Sequence, residues 1–483
     1  MDLFYNLNCF QDQTAVIDEN EKFFTYRDIH TMAQQFKSAV PGGKKSLILI
    51  KSKNNIESLI AYLGGISGEN TVLLVDNSVD GDLLENVIRS YQPDYIWQPV
   101  EGIRQCLFNL NTYELISTGF QTTDSIYPGL SLVMLTSGST GSPKGVRLTR
   151  SNIDANAKSI AEYLRLDDSE RPITNLPMNY VYGLSVINSH LYIGATILLT
   201  NWSIVKKNFW GFFKKYGATS LSGVPYTYEM LKTLRFFEME LPSLRYFTQA
   251  GGKLRPDLVT EYAEFSRRKG LRFYVMYGQT EATARISYLP PEYNLTKNKS
   301  IGIAIPGGKL YLRDEAGKEI KTPGKEGQLY YEGPNVMLGY TFNRNDLTKG
   351  DEQKGCLNTQ DIAYFDEDGF YYIVGRNSRF IKIAGRRTNL DEIEQYLREN
   401  DFNCVCSGYD ELLLIAVTDV TVIPKIREII IKKFKINFEN VDLFSVAEIK
   451  KNPSGKIEYE NIFSEYKRKV SGDESKQRRQ RTV

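Results

Sequence analysis

Residues 136–145 read TSGSTGSPKG, a run of hydroxyls and glycines closed by a Pro-Lys-Gly turn. Thr136, Ser137, Ser139 and Thr140 offer hydroxyl donors, and Lys144 carries a mobile positive charge. Gly138, Gly141 and Gly145 let the backbone aim successive N–H groups at one point. Together these are the groups that hold a polyphosphate. The spacing departs from GxxxxGK followed by Ser or Thr, which disfavours an ordinary P-loop nucleotidase. A Gly/Ser linker has a similar composition, but this segment is strapped between ordered elements. An apolar strand is predicted at 131–135 and a helix after the loop, started by Ser151 with Asp154 as a capping box. Ile153, Ala157, Ile160, Ala161 and Leu164 fall on one face of that helix.

Other chemistries are excluded by what the chain lacks. Only His30 and His190 are available as imidazoles, so no multi-His metal centre can form. Cys9, Cys106, Cys356, Cys404 and Cys406 make an odd set without CxxC spacing, which fits neither a disulfide framework nor a zinc site and suits a reducing cytosol. Sixty Lys and Arg against 58 Asp and Glu leave a formal charge of +2, so no global field draws the protein to nucleic acid or acidic lipid. Residues 1–23 lack a basic start followed by an apolar stretch, and no run approaches 18 uninterrupted apolar residues. The expectation is a soluble, cytoplasmic protein with no membrane span and no nucleic-acid partner.

The chain's 483 residues exceed the roughly 100–200 of one domain, so several elements must cooperate to position such a loop. SLILI (46–50), TVLLV (71–75), ATILL (195–199) and RFYVMY (272–277) alternate with segments of helical period, which predicts α/β layers. Past about residue 300, KLYLRDEAGKEI, EGQLYYEG and AYFDEDGFYYIVGR read as strands joined by Gly-containing turns, a β-rich portion closing the large region. After Arg376 the pattern predicts a small α+β domain: a helix in NLDEIEQYLREN, a strand at LLLIAVT (412–418) and a helix in IPKIREIIIKKF. The tail, 471–483, is polar and basic and cannot bury enough surface to order itself.

TSGSTGSPKG resembles, essentially residue for residue, the signature loop of the adenylate-forming superfamily: acyl-CoA synthetases, the adenylation domains of peptide synthetases, and firefly luciferase. Segments similar to its other signatures follow in order: AGGKL (250–254), YGQTEAT (277–283), QDIAYFDEDGFYYIVGR (360–376), KIAGRRTNLDEIE (382–394) and NPSGKIEY (452–459). The resemblance covers nearly the whole chain except the tail. It implies a large ATP- and acyl-binding domain at 1–376 and a small mobile lid domain at 377–470 that carries the catalytic lysine. By similarity Gly251, Gly252 and Tyr277 form the adenine slot with Gly278 beside them, Thr280 meets the α-phosphate, and Glu281 helps hold Mg2+. Asp361 accepts both ribose hydroxyls and Arg376 adds a donor. Lys456 looks like the lysine that brings the attacking carboxylate and the α-phosphate together. The implied chemistry is ATP-dependent conversion of a carboxylic acid to acyl-AMP, then transfer to the thiol of coenzyme A or of phosphopantetheine on a carrier protein. Between the steps the lid rotates near Arg376 and Ser378 and presents the segment with Lys382, Gly385 and Arg387 to the thiol.

Two places depart from the superfamily pattern. The hinge reads GRNS, so the usual Asp or Lys is replaced by Ser378. In NLPMNYVYGLSV, Asn179 and Tyr180 stand where many acyl-CoA synthetases carry an aromatic-His pair. Tyr180, Gly183, Gly223 and Val224, with Val181, Tyr182 and Ser222, are the candidates for the acyl pocket. No Asp occurs in that segment to hold an α-ammonium, which ranks a non-amino acid above aminoacyl loading of a carrier protein. A non-catalytic scaffold that binds carriers is the alternative of another class, and intact Lys144, Glu281, Asp361 and Lys456 argue against it. Luciferase-like oxidation finds no residue that demands it.

Overall fold

Leu47–Ser52 and Thr71–Asp76, runs of aliphatic residues buried along almost their whole length, lie side by side as parallel strands. Near-continuous apolar strands of this kind belong to sheets covered on both faces. The computed structural model describes residues 7–79, 81–102, 106–120, 125–136, 144–376, 379–383, 386–451, 457–459, 461–464 and 466. Two compact units emerge, Met1–Tyr311 with Tyr330–Leu357, and Leu312–Leu329 with Asn358–Val483.

In the first unit the two strands sit within an eight-stranded sheet. Its order is Gly339–Thr341, Gly145–Thr149, Leu130–Leu135, Thr71–Asp76, Leu47–Ser52, Tyr95–Pro99, Tyr113–Ser117 and Phe108–Leu110. The four middle strands run parallel, and the pairs at either end are antiparallel. A second, five-stranded sheet runs Ser220–Gly223, Tyr246–Gln249, Arg272–Tyr277, Ser287–Leu289 and Ile303–Ala304. Phe209, Phe213, Tyr228, Phe236, Phe247, Tyr262 and Phe273 are buried together against it. Ile197–Leu199 joins Thr14–Asp18 and Phe23–Thr25 in a small third sheet.

The β-rich portion is a five-stranded sheet in the order Glu319–Ile320, Lys309–Arg313, Gly327–Glu332, Cys356–Phe365 and Tyr371–Arg376. The Asp366 carboxylate accepts from the N–H groups of Asp368 and Phe370, tightening the turn between its last two strands. The second unit also holds the sheet Cys404–Tyr409, Leu412–Val417 and Val441–Ser445, packed on the helices Leu390–Glu399 and Ile423–Lys432 through Ile393, Leu397, Ile415, Ile426 and Ile430. α/β layers, a β-rich portion and an α+β region are the classes the periodicity predicts. Among the described residues no helix is long and apolar enough to cross a membrane, and all five cysteines are free.

Two local expectations change around the loop. The segment after it is first a strand, Gly145–Thr149, and only then the helix Arg150–Leu164. The helix is capped by Thr149, whose hydroxyl accepts from the Asn152 N–H while the Asn152 side chain accepts from the Thr149 N–H. Ser151 and Asp154 are therefore not the capping box. The reason is tertiary: Arg147 is fully buried, donates to the carbonyls of Tyr340 and Gly350 and pairs with Glu352, which holds the backbone extended up to Thr149. The predicted face survives, with Ile153, Ala157, Ile160, Ala161 and Leu164 all buried.

Thr149→Ala should cost about 1 kcal/mol of unfolding free energy, and Ser151→Ala less than about 0.5, measured by urea unfolding. The reverse ranking would restore the cap at Ser151. His190 is enclosed with Nδ1 on the Val186 carbonyl and Nε2 on the Tyr246 hydroxyl, and burial lowers its pKa from 6.5 to about 4. Between those values the unfolded chain binds a proton that the folded chain refuses, so stability falls as pH drops through that window. His190→Gln should flatten the pH dependence there by up to about 1.4 kcal/mol per pH unit, and identical slopes in both proteins would contradict the assignment.

Candidate active site

The loop is pinned at its two ends. Leu135 pairs with Gly145, and the Thr136 N–H donates to the Lys144 carbonyl at 2.9 Å. Gly145 has no room for a side chain: a Cβ there would stand 2.7 Å from Val133 Cγ1 and 2.9 Å from Thr341 Cγ2. Ser137, Gly138, Ser139, Thr140 and Gly141 lie outside the described residues, as do Ser378, Gly385 and Lys456.

Strand Arg272–Tyr277 ends in Gly278 and a short 3-10 turn, Thr280–Ala282. Gly278 is required because a Cβ would meet the Ala284 carbonyl at 1.7 Å. The Asn335 amide donates to the carbonyls of Ala282 and Arg285, the Thr283 hydroxyl donates back to the Asn335 carbonyl, and the Met337 N–H donates to the Glu281 carbonyl. This holds Glu281 in place. Its Oε1 accepts from the Tyr340 hydroxyl at 2.9 Å, while Lys144 Nζ lies 3.5 Å from the centroid of the same ring. A tyrosine thus stands between the two charges, one on its face and one on its hydroxyl. An ammonium so placed could hold phosphate oxygens, and the carboxylate could hold a hard cation. A magnesium ion that arrives with phosphates needs only one or two protein carboxylates, so Glu281 fits it. Among the described residues no group of three or more His, Cys, Asp and Glu forms a metal cage.

Gly251, with φ +83°, brings the adenine and acyl candidates together. A Cβ there would lie 2.3 Å from Tyr180 Oη and 3.1 Å from Val224 Cγ1, and one on Gly252 would lie 3.1 Å from Pro225 Cγ. Tyr180 caps the helix Val181–Tyr192, and burial pushes its phenol up to about 12, so it stays a neutral hydroxyl at neutral pH. Tyr277, half-buried at its strand end, accepts from Gln279 Nε2 at 3.2 Å. Gly183 and Gly223 are closely packed: Gly183 admits the carbonyls of Leu176 and Pro177, and Gly223 the side chains of Thr227 and Tyr228.

In the second unit Asp361 and Arg376 are register partners on neighbouring strands, with Arg376 Nε 3.1 Å from Asp361 Oδ1. Asp361 is buried and Arg376 exposed, so an acceptor and a donor stand side by side, as a ribose diol requires. Arg379, next to Ser378, pairs with Asp391 at 2.7 Å and Glu394 at 2.9 Å and stacks on Tyr459. Lys382 and Arg387 are backbone register partners in a two-stranded ladder, and the Lys382 N–H donates to Asp410. Tyr340 escapes the sequence reading, since nothing local in NVMLGY marks it and it reaches the loop only through pairing of Gly339–Thr341 with Gly145–Thr149.

Gly251→Ala should lower stability by roughly 1–3 kcal/mol through the positive φ and the clash with Tyr180. Adding Tyr180→Phe should recover part of that loss, and strict additivity in a double-mutant cycle of urea unfolding would show that the two do not meet.

The chain matches the family model described as AMP-binding enzyme over residues 3–341. The 2-succinylbenzoate--CoA ligase of Bacillus cereus (strain AH820) is 31% identical over 413 residues, covering 80% of this chain and 80% of that protein. The oxalate--CoA ligase of Arabidopsis thaliana is 32% identical over 271 residues, 55% of this chain and 52% of that protein. Among solved structures, the O-succinylbenzoate coenzyme A synthetase (MenE) of Bacillus subtilis in complex with AMP superposes with a TM-score of 0.76 at 21% identity, covering 94% of this chain and 96% of the other. The same enzyme in complex with ATP and magnesium ion gives 0.74 at 19% identity, covering 95% and 99%. These last two are likenesses of fold. With a family model spanning most of its length, and a strand-pinned loop whose lysine shares a tyrosine with Glu281, the chain belongs to the AMP-binding enzyme family.

Proposed function

We propose that this chain, an acid–thiol ligase of the AMP-forming kind, joins a free non-amino organic acid to coenzyme A in the cytoplasm. The observation that carries the reading is the Lys144–Tyr340–Glu281 arrangement, which offers a cation and a carboxylate side by side without pairing them. Free cysteines suit the reducing compartment. The relatives named above are described as CoA ligases, which favours coenzyme A over a carrier protein as acceptor.

In the first step the acid's carboxylate oxygen forms a bond to the α-phosphorus as the bond to pyrophosphate breaks in line with it. Lys144 and the N–H groups of the loop cover the charge that accumulates on pyrophosphate, and Thr280 donates to the α-phosphate. Glu281 would hold a magnesium ion that, when bound, would further neutralise phosphate charge. Gly251, Gly252, Tyr277 and Gly278 hold adenine, and Asp361 with Arg376 holds ribose. Lys456 brings the two anions together. In the second step the lid from residue 377 onward rotates about Arg376 and Ser378, Lys456 withdraws, and the segment of Lys382, Gly385 and Arg387 faces the thiol. Sulfur then bonds to the acyl carbon, AMP leaves with the electron pair, and the thiol proton passes to solvent.

Incubation with ATP, magnesium and a small-molecule extract, followed by mass spectrometry of trapped acyl-AMP, should identify the acid, and added coenzyme A should convert it to acyl-CoA with release of AMP. Pyrophosphate release with amino acids alone would overturn the choice of substrate class, and adenylate discharge only onto a phosphopantetheinylated carrier would overturn the acceptor. Lys456→Ala should slow acyl-AMP formation about 100- to 1,000-fold while ATP affinity stays within a few-fold. Undiminished pyrophosphate release by that variant would remove Lys456 from the mechanism.

A further inference from the structure

Arg285 is only 2% exposed, yet among the described residues it has no carboxylate partner. Its Nε is buried without a hydrogen-bond acceptor, and its guanidinium carbon lies 4.1 Å from the centroid of the Tyr182 ring. The other deeply buried arginines of this unit have a carboxylate: Arg147 pairs with Glu352 and reaches backbone carbonyls, and Arg344, whose Nε is also without an acceptor, pairs with the buried Asp94 at 2.9 Å. The aromatic groups around Arg285 offer no counter-charge. Burial raises the phenols of Tyr163 and Tyr180 to about 12 despite the guanidinium nearby, so both stay neutral. The Tyr163 hydroxyl donates to Met276 Sδ at 3.0 Å and the Tyr182 hydroxyl to the Thr248 carbonyl at 2.9 Å. A cation stripped of water and given a ring face and the neutral Tyr163 phenol recovers part of its hydration energy; a carboxylate recovers it far better, through paired N–H···O bonds.

The backbone delivers Arg285 to this place at a cost. Thr283 and Ala284 have φ of +52° and +102°, conformations that residues with a Cβ adopt only when held, and the Asn335 amide on the Ala282 and Arg285 carbonyls holds them. The ring that Arg285 covers neighbours the acyl candidates: Tyr182 and Tyr180 are in edge contact with centroids 6.1 Å apart, and Tyr180 Oη abuts Gly251 beside Val224. Arg285 is thus a buried cation without a carboxylate, next to the aromatic candidates for the acyl pocket.

We propose that Arg285 is a specificity-determining residue that receives a second anionic group of the acid substrate, a carboxylate remote from the one that is adenylated. The substrate class is then a dicarboxylic acid, a refinement that rests on the ligase reading above. The reacting carboxylate must keep an oxygen free to attack phosphorus, whereas a remote carboxylate can take both guanidinium N–H groups permanently. A cation here also repels the ammonium of an amino acid.

The test uses the purified full chain with ATP, magnesium and a panel of aliphatic and aromatic dicarboxylic acids, each beside its monomethyl ester, with pyrophosphate release as readout. At least one diacid should exceed its monoester on the order of 100-fold in kcat/KM. Arg285→Met should bring that ratio below about 5-fold, chiefly by raising KM for the diacid, with KM for ATP unchanged, and Arg285→Lys should restore part of the preference. Monoesters that match their diacids in the parent protein would overturn the proposal while leaving the ligase reading intact, as would equal losses on diacid and monoester in Arg285→Met. If Arg285→Met fails to fold by circular dichroism, the parent ratio and the Lys variant decide. Absence of pyrophosphate release with every acid would remove the ligase reading itself.

Discussion

Strand Gly145–Thr149 is hydrogen-bonded along both edges, to Leu130–Leu135 on one side and Gly339–Thr341 on the other, and the chemistry of the first unit depends on that double pairing. The first pairing closes the phosphate-loop segment between Leu135 and Gly145. The second carries Tyr340 to Lys144 and presents its hydroxyl to Glu281. Arg147 locks both by burying its guanidinium among carbonyls from the 340–350 region and against Glu352. A charge buried this way is tolerable only when fully answered, so the arrangement is specific as well as stable.

Charges of the first unit are met in different ways. Arg344 has its carboxylate, Asp94, inside the fold, and Arg147 reaches the exposed Glu352 from its buried position. Lys144 and Glu281 instead meet opposite parts of one tyrosine and keep their capacity to bind. Arg285 has an aromatic face and a neutral phenol, with its Nε unanswered, a local inconsistency that the proposed substrate carboxylate would complete.

Positive backbone angles occur beside both groups of candidates. Gly251 takes its positive φ without cost because it has no side chain, and the space it leaves is filled by Tyr180 and Val224. Thr283 and Ala284 take theirs with side chains present, just after the turn that carries Thr280 and Glu281, under the clamp of Asn335.

Much of this was legible in residue order. RFYVMY is a strand end to end, LLLIAVT and NLDEIEQYLREN are the strand and helix their periods predict, and Asp361 and Arg376 occupy neighbouring strands that their motif placed together. Period and turn chemistry act over a few residues, and a local reading captures them. The helix cap was misplaced by two residues, and the strand before it was missed, because the forces that extend Gly145–Thr149 come from partners roughly two hundred residues away. Tyr340 and Arg285 were invisible for the same reason: a tyrosine and an arginine carry no mark of what they will face. The sequence by itself determined the kind of chemistry, by supplying a phosphate loop and its companion motifs. Only the tertiary structure decided which charges would be neutralised and which left to bind, because burial and long-range pairing are properties of the assembled fold.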